Sequence, residues 1–139
     1  MRIGVDLVSV ERFRKVFDRH GEHFSARVFT ERERTLCSGD ARRLAGRFAS
    51  KEAVSKALGT GIGRLGITFQ DIEIDADDMG MPLVVLHGAA KTRFSALGGM
   101  SVAISISHED EYAVAFCVVE VDASKSRKTA MDEGVPFDE

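Results

Sequence analysis

GRFASKEAVSKALGTGI, residues Gly46–Ile62, has the pattern of a helix closed by a glycine-rich turn. At about 100° per residue, Leu44, Ala45, Phe48, Ala49, Ala53 and Ala57 sweep out one broad apolar arc. Glu52 and Lys56 project from the middle of that arc rather than from its edge. On an outer helix face, an i,i+4 Glu–Lys pair adds only about 0.2–0.5 kcal/mol and is usually solvated decoration. This pair is expected to point inward, where an unpaired charge is costly. Something elsewhere in the chain must therefore compensate it.

The flanking sequence supplies the frame. Asp40 is placed to cap the long helix, which Gly59 ends. Upstream, TERERTLCSG reads as a short helix with Thr30 as N-cap and Glu33 completing a capping box. VERFRKVFDRHG is a further helix, with Phe13, Val16, Phe17 and His20 on one face and Arg12, Lys15 and Arg19 along another. Ile3–Val10 is apolar apart from Asp6 and Ser9, the mark of a buried strand. Beyond the long helix, FQDIEIDADD and PLVVLHG are expected as strands joined at DMGM. AAKTRFSAL follows as a short helix, then SVAISISHE and EYAVAFCVVEV as a tight hairpin. Without regular βα alternation, the expected fold is a compact single-domain α+β structure, a mostly antiparallel sheet packed on the long helix. The domain is expected over residues 1–121, and residues 122–139 as a polar, mobile tail.

Bulk properties narrow the function. The chain has 139 residues, enough for one core but not two. No apolar run reaches the length of a membrane span. Cys37 and Cys117 lie in no metal-ligand spacing, which favours reduced thiols in a cytoplasm. With no Trp and one Tyr there is little surface for stacking nucleobases, so nucleic acid is not an expected partner. Charge is uneven: residues 1–64 carry 14 Lys/Arg against 8 Asp/Glu, whereas residues 65–121 carry 2 against 9. The basic half suits an anionic ligand or partner.

Asp6 is the second anomaly. It shares a strand face with Gly4 and Val8, and Gly4 leaves room beside an inward carboxylate. A lone Asp there is more often a structural hydrogen-bonder. Two inward carboxylates from separate elements, with a lysine, fit Mg²⁺, a hard cation held by one or two carboxylates plus substrate phosphates. Such a site facing a basic half suits a diphosphate.

GVDLVSVERF (Gly4–Phe13), GRFASKEAVSKALGTGIG (Gly46–Gly63) and SISHEDEYAVA (Ser105–Ala115), in that order, resemble the holo-[acyl-carrier-protein] synthases, the 4′-phosphopantetheinyl transferases of bacterial fatty-acid synthesis. The resemblance runs from about Arg2 to Val121 and is most specific in the long helix and its glycine turn. It implies the phosphopantetheinyl transferase fold. It also implies transfer of 4′-phosphopantetheine from coenzyme A to a serine of an acidic acyl carrier protein, with release of adenosine 3′,5′-bisphosphate. By match of motif, Asp6 and Glu52 would hold Mg²⁺ against the coenzyme A diphosphate, and Lys56 would neutralise phosphate charge. His108 would sit near the attacking hydroxyl, as a base or as the orienter of a water, although a structural turn histidine is an equally good description. Glu109 is a weaker candidate. Arg47 and Lys51 would contact coenzyme A phosphates or be ordinary solvated charge. Gly59 and Gly61, with Gly63, would let backbone approach the nucleotide or simply end the helix. Arg12, Lys15 and Arg19 would dock the carrier, and a homotrimer with sites between subunits is implied by the resemblance alone. Met81 departs from the family, which often has a basic residue there. A non-catalytic coenzyme A or carrier-protein binding module of the same fold would predict damage to the metal pair or to Lys56, and neither is damaged. A Mg²⁺-dependent phosphoanhydride hydrolase would need clustered acids that this chain lacks.

Overall fold

A computed structural model of the chain describes residues 1–125. The elements run β1 (Arg2–Ser9), α1 (Val10–Val28), α2 (Glu31–Cys37), α3 (Ala41–Ala57), β2 (Ile72–Ala76), β3 (Pro82–Leu86), α4 (Gly88–Ala96), β4 (Gly99–His108) and β5 (Tyr112–Val121). All pairing is antiparallel, as expected, but it forms two sheets: β1-β5-β4 and the hairpin β2-β3. Most of the expected tail, residues 126–139, lies outside the described residues. At its start the Asp122 amide donates to Gly98 O at 2.9 Å, and the Asp122 carboxylate accepts from the Ser124 and Lys125 amides.

α3 lies across the inner face of the larger sheet. Ala49, Ala53 and Ala57 bury against Ala115, Cys117 and Val119 of β5, so small side chains on both layers bring helix and sheet together. Gly4 carries this furthest. A Cβ there would lie 2.0 Å from Ala53 O and 2.8 Å from Ala57 N. The space that Gly4 leaves is thus filled by the α3 backbone, not by a neighbouring carboxylate.

A second core lies between α1, α2 and the first half of α3. Phe13 is its hub, with ring centroids of Phe17, Phe24, Phe29 and Phe48 at 5.9–6.1 Å. Edge-to-face and tilted ring pairs of this kind add about 0.5–1.5 kcal/mol each beyond their buried area. The sequence pattern ended the first helix near Gly21. The chain instead breaks there (φ 53°, ψ −130°) and resumes as helix to Val28. That second segment supplies Phe24 to the cluster. Phe13 is buried and Phe17 half-buried, but Val16 and His20, expected on the same inner face, are exposed.

Candidate active site

The capping expected for α2 and α3 is present. Thr30 and Glu33 form the reciprocal box, and the Asp40 carboxylate accepts from the Arg42 and Arg43 amides at 2.9 and 3.2 Å. These caps fix where α3 begins and hence where its side chains fall. α3 is enclosed by both sheets, α1 and α2, so its charged side chains leave in different directions.

Glu52 and Lys56 leave toward β1. They line one wall of a cleft of about 550 Å³, facing Asp6 and Ser9 of β1 and Arg12 of α1. The remaining wall is apolar, built by Val8, Phe13, Val16, Phe24 and Phe48. Lys56 Nζ donates to Asp6 Oδ1 and to Val5 O, both at 3.1 Å. The Lys56 side chain is 50% exposed and Asp6 17%. The charged pair, expected to point inward and to be compensated, opens into a cleft where Asp6 meets Lys56, whose side chain stays half exposed. Burial raises the Glu52 pKa above the ordinary carboxylate value, the Asp6 charge raises it further, and Lys56 opposes both.

The fully enclosed lysine is Lys51. Its side chain is 0% exposed, and its ammonium lies 2.8 Å from Glu33 Oε1. It also donates to Phe69 O at 2.8 Å and Ile72 O at 2.7 Å. An ammonium has three donors, and all three have partners inside the protein. Lys51 is thus neither solvated nor available to a coenzyme A phosphate; it is a strut between α2, α3 and β2. Glu33 completes the knot, accepting from Thr30 N at 2.8 Å and Ile74 N at 2.8 Å. Burial pulls the Lys51 pKa below the ordinary lysine value, and the Glu33 carboxylate pulls it back. A lysine adjacent to Glu52 was legible as a charge but not as a buried one.

His108 and Arg47 lie away from this cleft. His108 ends β4, where it sits over α3 at Gly46: a Cβ on Gly46 would lie 3.1 Å from Ile106 Cγ2 and 3.8 Å from His108 Cδ2. Glu109 follows at the turn, its amide bonded to Tyr112 O. Arg47 is half-buried, and its Nε has no hydrogen-bond partner among the described residues. Within one chain, then, Asp6, Glu52, Lys56 and Arg12 come together, and Arg47, Lys51 and His108 do not. Lys15 and Arg19 are exposed farther along α1, with Lys15 paired to Glu11 at 3.3 Å.

The glycine turn is engaged inward. Gly59 N donates to Lys56 O, and the Thr60 and Gly61 amides both donate to Ser55 O. What the turn offers a ligand is bare backbone at Gly61 (φ 66°), where a Cβ would meet nothing within 4 Å.

The donor set can hold a divalent cation. Two carboxylates from different elements share one cleft, and burial together with the nearby Asp6 charge disfavours the negative charge of Glu52, which a cation would reverse. Among the described residues no group of three or more metal-binding side chains occurs. A cation here would need further oxygen ligands from substrate or water, as Mg²⁺ commonly does.

Residues 2–117 match the profile of the 4′-phosphopantetheinyl transferase superfamily. The chain is 45% identical over 120 residues to the holo-[acyl-carrier-protein] synthase of Shewanella amazonensis, covering 84% of this chain and 95% of that one. The crystal structure of the Helicobacter pylori holo-[acyl-carrier-protein] synthase in complex with coenzyme A is similar at a TM-score of 0.78 and 37% identity, covering 85% of this chain and 99% of that one. The Bacillus anthracis enzyme, in complex with CoA (3′,5′-ADP), is similar at a TM-score of 0.70 and 38% identity, covering 87% and 96%. Matched by the profile over most of its length and 45% identical to a relative that it covers almost fully, the chain belongs to the 4′-phosphopantetheinyl transferase superfamily, among the holo-[acyl-carrier-protein] synthases.

Proposed function

We propose that the cleft between β1 and α3 is where 4′-phosphopantetheine passes from coenzyme A to a serine of apo acyl carrier protein, in a Mg²⁺-dependent reaction of fatty-acid biosynthesis. The observation that carries this is the convergence of Asp6, Glu52 and Lys56 on one partly apolar cleft. The serine hydroxyl attacks the phosphorus that bears pantetheine and gives up its proton to a base, for which His108 of a neighbouring copy is the candidate. The phosphoanhydride bond breaks, and adenosine 3′,5′-bisphosphate leaves with the electron pair. Asp6 and Glu52 would hold Mg²⁺, which neutralises diphosphate charge when bound. Lys56, already beside Asp6, stabilises the negative charge that grows on the leaving phosphate. The work is positioning and electrostatics, as in phosphoryl transfer generally. The test is intact mass spectrometry of apo carrier protein incubated with the enzyme, coenzyme A and Mg²⁺. A gain of one phosphopantetheine is expected; an unchanged carrier mass would overturn the assignment.

The functional unit in this proposal is a homotrimer. Two features support it. The outer face of β1-β5-β4 leaves Ile3 60%, Val5 52%, Leu7 63% and Phe116 44% exposed, a continuous apolar surface of the kind a second copy covers. His108, the candidate base, and Arg47, the candidate phosphate contact, stand away from their own chain's cleft and would serve a neighbour's. Phe116→Asp should release monomers in analytical ultracentrifugation and cut transfer at least about tenfold. A wild-type mass of one chain would remove the trimer from the mechanism.

Carrier docking falls to the exposed basic stripe on α1. Arg12 also lines the cleft, so the cleaner probe is Lys15→Glu with Arg19→Glu. The double variant should raise the carrier KM about tenfold or more and leave the coenzyme A KM unchanged. The wild-type carrier KM should also rise with salt, because exposed charges are screened over about 8–10 Å. A cytoplasmic setting is part of this proposal, and the free, buried Cys37 and Cys117 support it; among the described residues no helix is long and apolar enough to cross a membrane.

A further inference from the structure

The last carbonyls of a helix lack intrahelical partners and must find others. At the end of α3, Val54 O accepts from Leu58 N, Ser55 O from Thr60 N and Gly61 N, and Lys56 O from Gly59 N. Two arginines from distant elements take the next two. Arg2 Nε of β1 donates to Ala57 O at 2.8 Å, and Arg93 Nε of α4 donates to Leu58 O at 3.1 Å. The Arg2 guanidinium fills the place of a side chain at residue 59: a Cβ on Gly59 would lie 2.4 Å from Arg2 Nη2.

The Arg2 bond has a counterpart in the opposite direction. Lys56 of α3 donates to Val5 O of β1, while Arg2 of β1 donates to Ala57 O of α3. Between them lies the Gly4 contact, where strand backbone meets helix backbone with no side chain from β1 between them. A smooth contact of that kind holds two elements close but does little to stop one sliding along the other. Glu52 and Lys56 face Asp6 only at one axial setting of α3 on β1, and a helix rises only 1.5 Å per residue.

We infer that Arg2 is a positioning residue for transfer: it locks the register of α3 on β1 that sets Glu52 and Lys56 against Asp6, with Arg93 bracing the following carbonyl. This rests on the assignment of Asp6, Glu52 and Lys56 to the site. Arg2 acts on the cleft through the helix end and is not among the residues that line it.

The test compares Arg2→Met, which keeps length but no donor, with Arg2→Lys, which keeps a donor for Ala57. kcat, the KM for each substrate, Tm and Mn²⁺ binding to the enzyme–coenzyme A complex by electron paramagnetic resonance are measured on each. Arg2→Met should lower kcat about tenfold or more, since small displacements of reacting groups are costly, weaken Mn²⁺ binding by a similar factor and leave the carrier KM unchanged. Arg2→Lys should recover most of both. A variant with lowered Tm but wild-type kcat and Mn²⁺ affinity would show Arg2 to be structural only and overturn the inference. If Arg2→Met does not fold, Arg2→Leu, which also lacks a donor, replaces it and is judged by the same two outcomes. Asp6→Asn is run in parallel. If it retains transfer and Mn²⁺ binding, the site assignment fails and the inference with it. If it loses both while Arg2→Met loses neither, only the positioning role fails.

Discussion

Asp6→Asn and Glu52→Gln should each reduce phosphopantetheine transfer at least about a thousandfold, since each would remove one of the two protein ligands of the proposed Mg²⁺ site. Single-turnover kinetics with saturating coenzyme A will measure this, and excess chelator should silence the wild type until Mg²⁺ is restored. Transfer that survives the chelator would end the metal assignment. The same Glu52→Gln change should make the metal-free protein more stable. Burial and the Asp6 charge raise the Glu52 pKa in the folded state. Above that pKa, the folded state therefore carries a carboxylate that is better accommodated in the unfolded chain. As pH falls, the folded state takes up this proton first, so the penalty fades. Glu52→Gln removes the charge at every pH. Its Tm should exceed that of metal-free wild type by about 2–4 °C at neutral pH, with the difference closing as pH drops through the carboxylate range. Loss of activity with gain of stability separates a functional carboxylate from a structural one.

Lys51→Met should be the most damaging substitution for the fold. It leaves the Glu33 carboxylate buried without its counter-charge and removes the donor from Phe69 O and Ile72 O. Breaking a buried pair from one side costs about 3–5 kcal/mol, a large part of the roughly 5–15 kcal/mol that holds a domain together. Thermal unfolding should shift down by about 10–20 °C, or soluble expression should fail. Adding Glu33→Gln to Lys51→Met should restore part of the loss, because the unmatched charge is gone. A double-mutant cycle measures the coupling. Simple additivity of the two changes would mean the pair does not act as a unit.

The contrast between Lys51 and Lys56 marks how much the sequence could reveal. Local signals were legible where they depend on neighbours in the chain: the Thr30–Glu33 capping box, the Asp40 cap, the strand alternation of Tyr112–Val121 and the antiparallel α+β class. The motif carrying Asp6, Glu52 and Lys56 was legible too, and the structure brings those three together. Directions across the core were not. α3 carries Ala, Gly and Ser around most of its circumference, so it can be enclosed on nearly every side, and an apolar arc then no longer distinguishes core from cleft. Which lysine is swallowed depends on where Glu33 and the carbonyls of Phe69 and Ile72 end up, and those are tertiary facts. For the same reason Gly4 suggested space for a carboxylate when it makes space for a helix. His108 was legible as a candidate by its motif, but its distance from the cleft depends on the strand order β1-β5-β4, which periodicity does not encode.

That strand order also bears on how the protein is made. β1 hydrogen-bonds to β5, with Arg2 opposite Val119 and Asp6 opposite Ala115. During synthesis at roughly 5–20 residues per second, the first strand waits on the order of ten seconds for its partner. Until β5 arrives, the apolar side chains of β1 and its unpaired edge are open to other chains. Long-range pairing of this kind is slow to nucleate, because loop closure precedes any gain from contact. Asp6 travels on that waiting strand, so the ribosome can finish the helix that bears Glu52 well before the two carboxylates meet. Nascent chains cut short before β5 should therefore be clients for chaperones and proteases, and the cleft between β1 and α3 should be among the last parts of the molecule to form.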